Sequence, residues 1–185
     1  MAYAPDLPFE HAIDIKKGWF DMASLDYSAK LLGSISYAIP RGRVVHLELS
    51  AGKEVFVPGV HNTGVAIFLL NGSDDADVSN PTSTASGKFV QQAVSPTGKL
   101  SGVVATGGYE IDSTEFVTNR TYNPGDLLTA AAGSSTATAG VLTNASVTQF
   151  VTPVCGVVSS GKHTNHNGVE TLSFWSVWLP GAVPG

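Results

Sequence analysis

The residues best able to do chemistry are few and scattered. Asp126 closes the stretch Tyr122-Asn123-Pro124-Gly125-Asp126, where a carboxylate could act as a base or a metal ligand. Pro124 followed by Gly125 is also the pair a type II turn requires, since proline restricts φ and glycine accepts positive φ. Pro-Gly recurs at 58–59, 180–181 and 184–185. The stretch therefore reads as a corner, with Leu127 and Leu128 starting the next strand. His163 and His166 have the spacing H-x-x-H, but zinc needs more ligands than two, held rigidly. No acid lies between them, and SSGKHTNHNG reads as a polar loop. Asp74, Asp75 and Asp77 could attract a cation, yet SDDADVS lacks the spacing and terminal Glu of a calcium loop. Glu110 and Asp112, two residues apart, share a strand face and read as a surface pair.

Nucleophile and nucleotide motifs are missing. There is no G-x-S-x-G, and Gly156-Val157-Val158-Ser159 does not replace it. There is no phosphate loop and no dinucleotide fingerprint. Cys155 is the single cysteine, so no intrachain disulfide can form. In Pro153-Val154-Cys155-Gly156-Val157-Val158 it reads as a small buried residue. The expectation is a chain with no catalytic residue, no metal ligand and no cofactor, hence not an enzyme.

Composition points the same way. Hydrophobic residues make up 43% of the 185 residues and charged residues 14%. An average protein is about one quarter charged. Either Ser, Thr, Asn and Gly wet the surface, or other chains cover part of it. The net charge is −5, and the excess of acid lies entirely after residue 53. An acidic body without a basic stripe argues against nucleic acid. The start, MAYAPDLPFEH, has neither the basic nor the apolar part of a secretory signal. The apolar run Val65–Leu70 is too short to cross a bilayer. The expectation is synthesis in a cytoplasm and no membrane partner, so the glycosylation patterns at Asn71, Asn119 and Asn144 carry no meaning.

The elements follow from periodicity. From residue 39 onward the chain reads as many short strands with Gly and Pro between them, an all-β barrel or sandwich of antiparallel strands. Val45, Leu47 and Leu49 alternate with Val44, His46 and Glu48. Further strands are expected at 54–57, 65–70 (central), 89–94, 102–106, 109–112, 115–117, 127–130, 140–143, 153–159 and 169–179. Residues 71–87 read as a long exposed loop. Residues 1–38 read as an extended N-terminal arm that closes its own core or lies on a neighbouring chain. A short helix over 21–32 is suggested by the spacing of Met22, Leu25 and Ala29.

The last strand is the most telling. Leu172, Phe174 and Trp178 alternate with Trp175, Val177 and Leu179. A half-buried strand has one polar face. Two apolar faces imply a covered central strand, or one face on the core and one on a partner.

Several of these pieces, IPRGRVV at 39–45, VPG and TGVAIFL at 57–69, TYNPGDLLTA at 121–130, GVLTNAS at 140–146, VCGVVSSG at 154–161 and LSFWSVWLPG at 172–181, resemble small head proteins of tailed bacteriophages, the capsid decoration or cement proteins. The resemblance covers residues 39–181 and rests on short glycine-bounded strands and the PGD corner. It implies a structural virion protein on the capsid exterior, bound to the major capsid protein and to itself, as a trimer or a dimer. On that reading Phe9, Lys16, Lys17, Trp19, Phe20 and Tyr27 would contact the capsid, and Trp175 and Val177 would form the subunit interface. The rivals are a tail or baseplate protein, a carbohydrate-binding sandwich using Trp175 or Trp178, and a hydrolase using His163 or His166.

Overall fold

The structure is a computed structural model that describes residues 13–17, 26–62, 64–69, 100–105, 109–145, 147–148, 151–165 and 168–181. Its strands are β1 (Ile13–Lys17), β2 (Asp26–Leu31), β3 (Val44–Ser50), β4 (Lys53–Pro58), β5 (Ala66–Leu69), β6 (Leu100–Val104), β7 (Glu110–Ser113), β8 (Leu127–Ala130), β9 (Leu142–Thr143), β10 (Val154–Thr164) and β11 (Glu170–Leu179). No helix occurs among the described residues, and the protein is all-β.

Six strands form an open sheet in the order β1-β7-β11-β10-β8-β9. The other five pair in the order β2-β4-β3-β5-β6, and β6 pairs again with β2. The β2–β4 seam is parallel and two residue pairs long, Lys30 with Val55 and Leu31 with Phe56. So short a seam makes this sheet a tightly curled one rather than a sealed barrel.

The apolar pattern explains how the two sheets share a core. Val44, Ala66 and Phe68 join a cluster with Ile111, Leu128, Leu172 and Phe174 between the sheets. Val45, Ile67 and Leu69 turn the other way, into a second cluster with Phe56, Ile39 and Leu100 inside the curl. β5 is thus buried on both faces, which is why its sequence is a continuous apolar run. The rings of Phe68 and Phe174 meet across the sheets at 5.4 Å.

Arg43 and Val44 lock the sheets together. The Arg43 Nε–H donates to Glu115 Oε2, and Nη1 donates to Ala139 O at 3.0 Å. The Val44 N–H donates to Gly140 O, and the Val60 N–H, just past β4, to Ala130 O of β8, both at 2.9 Å. Gly140 sits so close that a Cβ there would lie 2.5 Å from Val44 O, with φ at +70°. Any side chain at 140 would push the junction apart.

The Pro124-Gly125 corner is a turn as expected. Gly125 has φ 92°, and the Asp126 N–H donates to Asn123 O at 3.0 Å. Asp126 braces it: Oδ2 accepts from Asn123 N–H and from Asn144 Nδ2, both at 2.9 Å. Its carboxylate is spent on the corner.

Several expectations change. Residues 26–31 form a strand where helical spacing suggested a helix, because pairing to β6 and β4 outweighs a weak local preference. Within the segment read as an arm, which was expected to close its own core or lie on a neighbour, β1 pairs with β7 and β2 with β4 and β6. Residues 115–117 form a single bridge, Phe116 with Leu142, instead of a strand. Residues 160–164, read as loop, continue β10 past a register shift. The expected loop at 71–87 and strand at 89–94 lie outside the described residues.

Cys155 is fully buried, its thiol 3.6 Å from Leu128 O. Burial pushes its pKa up to about 12. At pH 8 a group of that pKa is ionised at roughly one part in ten thousand. Ellman's reagent should therefore leave the native protein unlabelled at pH 8 and label one thiol per chain in guanidinium. Arg43→Met should lower stability by about 3 kcal/mol or more, because it strands Glu115 beside the core. Guanidinium unfolding followed by circular dichroism measures it.

Candidate protein-association surface

The strand β11 has the two faces its sequence announces. Leu172 and Phe174 are fully buried in the inter-sheet cluster, and Trp178 packs against it. The opposite face carries Trp175 and Val177, both half-buried, and Leu179, which is 46% exposed. Register places the neighbours. Trp175 lies opposite Val157 on β10, and Val157 opposite Leu127 on β8. Leu127 and Val157 are also half-buried. The outer face of the open sheet thus holds one apolar row, Trp175-Val157-Leu127, extended along β11 by Val177 and Leu179.

Beside this row the face turns polar. On the far side of Trp175 lies Glu110 of β7, whose Oε1 accepts from Ser159 Oγ at 3.0 Å. One register step on, Asp112 lies opposite Ser173. The Ser173 hydroxyl donates to Asp112 Oδ1 and lies 3.4 Å from His163 Nδ1. His163 Nε2 is 3.4 Å from Asp112 Oδ2. The three residue types match those of a hydrolytic triad, but the roles do not. Ser173 is fully buried and donates its hydrogen bond to the carboxylate rather than to the imidazole, so the hydroxyl acts as a tie between strands.

The acids differ from the expected surface pair. They do share a face, but Glu110 is 8% exposed and the Asp112 side chain 13%. Such acids need hydrogen-bond donors once removed from water, and Ser159 and Ser173 supply them. His163 belongs to β10 and not to a loop; His166 lies outside the described residues.

Lys16 and Lys17 are on β1, at the edge of this sheet, with Lys17 in register with Glu110. Tyr27 is on β2, in register with Gly102 of β6. Lys17 is thus the residue of the expected capsid-contact set that register brings beside the apolar row. Phe9, Trp19 and Phe20 lie outside the described residues. Trp175 and Val177 share the outer face of β11. Val157 and Leu127 were missed as members of the row, although each alternates with a core residue, Val158 and Leu128.

Among the described residues no group of His, Cys, Asp and Glu is arranged to hold a metal ion. Comparison with protein-family models, curated proteins and solved structures finds no match.

Asp112→Ala should cost about 2 kcal/mol, since it leaves the buried Ser173 hydroxyl without its charged acceptor. Urea unfolding measures this. Asp112→Asn, which keeps an acceptor, should recover part of the loss.

Proposed function

We propose that this protein is a structural component of a bacteriophage particle, a decoration protein on the capsid exterior that bridges neighbouring capsomers. One observation carries the reading: β11 buries one apolar face in the core and presents a second, Trp175-Val177-Leu179, on the outer face of the sheet. Trp is enriched in association surfaces, and an exposed apolar strip with a charged margin is the form a subunit contact takes. Low charge density and the resemblance of residues 39–181 to capsid cement proteins support the same reading. Trp175 and Val177 would form the contact between copies. Lys16, Lys17 and Tyr27, with Phe9, Trp19 and Phe20, would contact the shell.

The physics suffices without chemistry. About 800 Å² per partner makes a stable interface, and many copies on one shell add avidity. Sedimentation should show an oligomer, with a trimer favoured. Mixing with empty capsids should give saturable binding, seen by electron microscopy on the shell rather than the tail. Trp175→Ser with Val177→Ser should leave the fold intact and reduce self-association by about tenfold or more. A monomer in dilute buffer that ignores capsids would overturn the reading.

A further inference from the structure

Past Leu179 the chain leaves its ladder and is caught by two other segments. β10 and β11 stay paired as far as Val154 with Leu179, but the register shifts between Val154 and Gly156. Val177 falls within that shift, so the ladder is irregular where the apolar row ends. Pro180 follows, and proline has no N–H with which to continue a ladder. Gly181 comes next. It is buried, and its N–H donates to Asn62 Oδ1 at 3.1 Å.

Both sides of this contact are held. Asn62 lies in a turn closed by the isolated bridge between His61 and Gly64. His61 stacks on the buried His46 of β3, with ring centroids 5.3 Å apart, so the turn is rooted in the curled sheet. On the other side, a Cβ at 181 would lie 2.9 Å from Pro153 N and closer still to Val151 O. Val151 belongs to a braced turn. The Val151 and Thr152 N–H groups both donate to Thr148 O at 3.0 Å, and the Thr148 N–H donates to Thr152 Oγ1 at 3.1 Å. Backbone braced in this way yields little, so glycine is the residue that fits at 181. The end of β11 is thus tied to the curled sheet by a contact 119 residues apart in sequence.

We propose that the Asn62–Gly181 contact is a clasp: it opens without the sheets unfolding, and while shut it positions Val177 and Leu179 for the contact between copies. The second part rests on the reading of the outer row as that contact. Local opening follows from the surroundings, since Leu179 and Pro180 are exposed and the ladder beside them is irregular. Positioning follows from entropy. A loose strand end must be ordered when two copies meet, which weakens their association; an end already fixed in its bound form avoids that cost. Asn62 and Gly181 act through β11 and lie outside the row itself.

Amide exchange in the ¹⁵N-labelled full chain tests the clasp. The Ser176 N–H, bonded to Tyr109 O at 2.8 Å, reports the strand before it. Asn62→Ala should speed exchange of the Gly181 amide by about fivefold or more while Ser176 stays unchanged. Asn62→Ala and Gly181→Ala should each weaken self-association in sedimentation by about threefold or more, with circular dichroism unchanged. Asn62→Asp keeps an acceptor oxygen and should hold both readings near wild type. Unchanged Gly181 exchange, or equal acceleration at Ser176, would overturn the clasp. Faster exchange with undiminished self-association would overturn the positioning role. A wild-type chain that stays monomeric sinks the subunit contact itself, whereas exchange at Gly181 still reads the clasp.

Discussion

A buried guanidinium must find acceptors, and those of Arg43 lie on two separate segments. One is Glu115, between β7 and β8; the other is the Ala139 carbonyl, in the β8–β9 connection. With Val44 bonded to Gly140, this places the start of β3 against the open sheet. Everything else follows from that seating. Val44 and Val45 then face two different clusters, and β5, paired with β3, is buried on both sides. The long run of apolar residues in β5 needs two cores, and the junction provides them.

The open sheet, seated in this way, has one side against the core and one outward. Its outward side carries both an apolar row and acids tied to serines. The serine ties have a physical cause: Glu110 and Asp112 sit beside Trp175 and half-buried aliphatics, where water is scarce, so hydroxyls replace it. Ser159 and Ser173 satisfy the acids within the sheet and leave the neighbouring Trp175-Val157-Leu127 row as the apolar part of this surface.

Legibility varied with how local the cause was. The corner at 123–126 was readable because proline and glycine restrict φ by themselves, and Gly125 has the φ that the pair demands. The alternation of β11 was readable because a core on one side imposes period two. The strand at 26–31 was not, since its spacing also suits a helix and only the ladders to β4 and β6 decide. The continuation of β10 through Ser160 and Lys162 was hidden by polar residues: a strand on a sheet's outer face needs no apolar signal. The row Trp175-Val157-Leu127 was half visible. Each member alternates with a core residue, but three strands distant in sequence must come into register before a row exists.

The amino-acid order by itself determined the all-β class, the turn positions, the burial of Cys155 and the doubly apolar last strand. These depend on single-residue conformational limits and on short-range periodicity, which act before any long-range contact forms. The tertiary structure alone decided which strands neighbour one another and that Asp112, His163 and Ser173 meet as a structural tie. Pairing between distant strands is set by the packing of whole faces, and no local stretch carries that information.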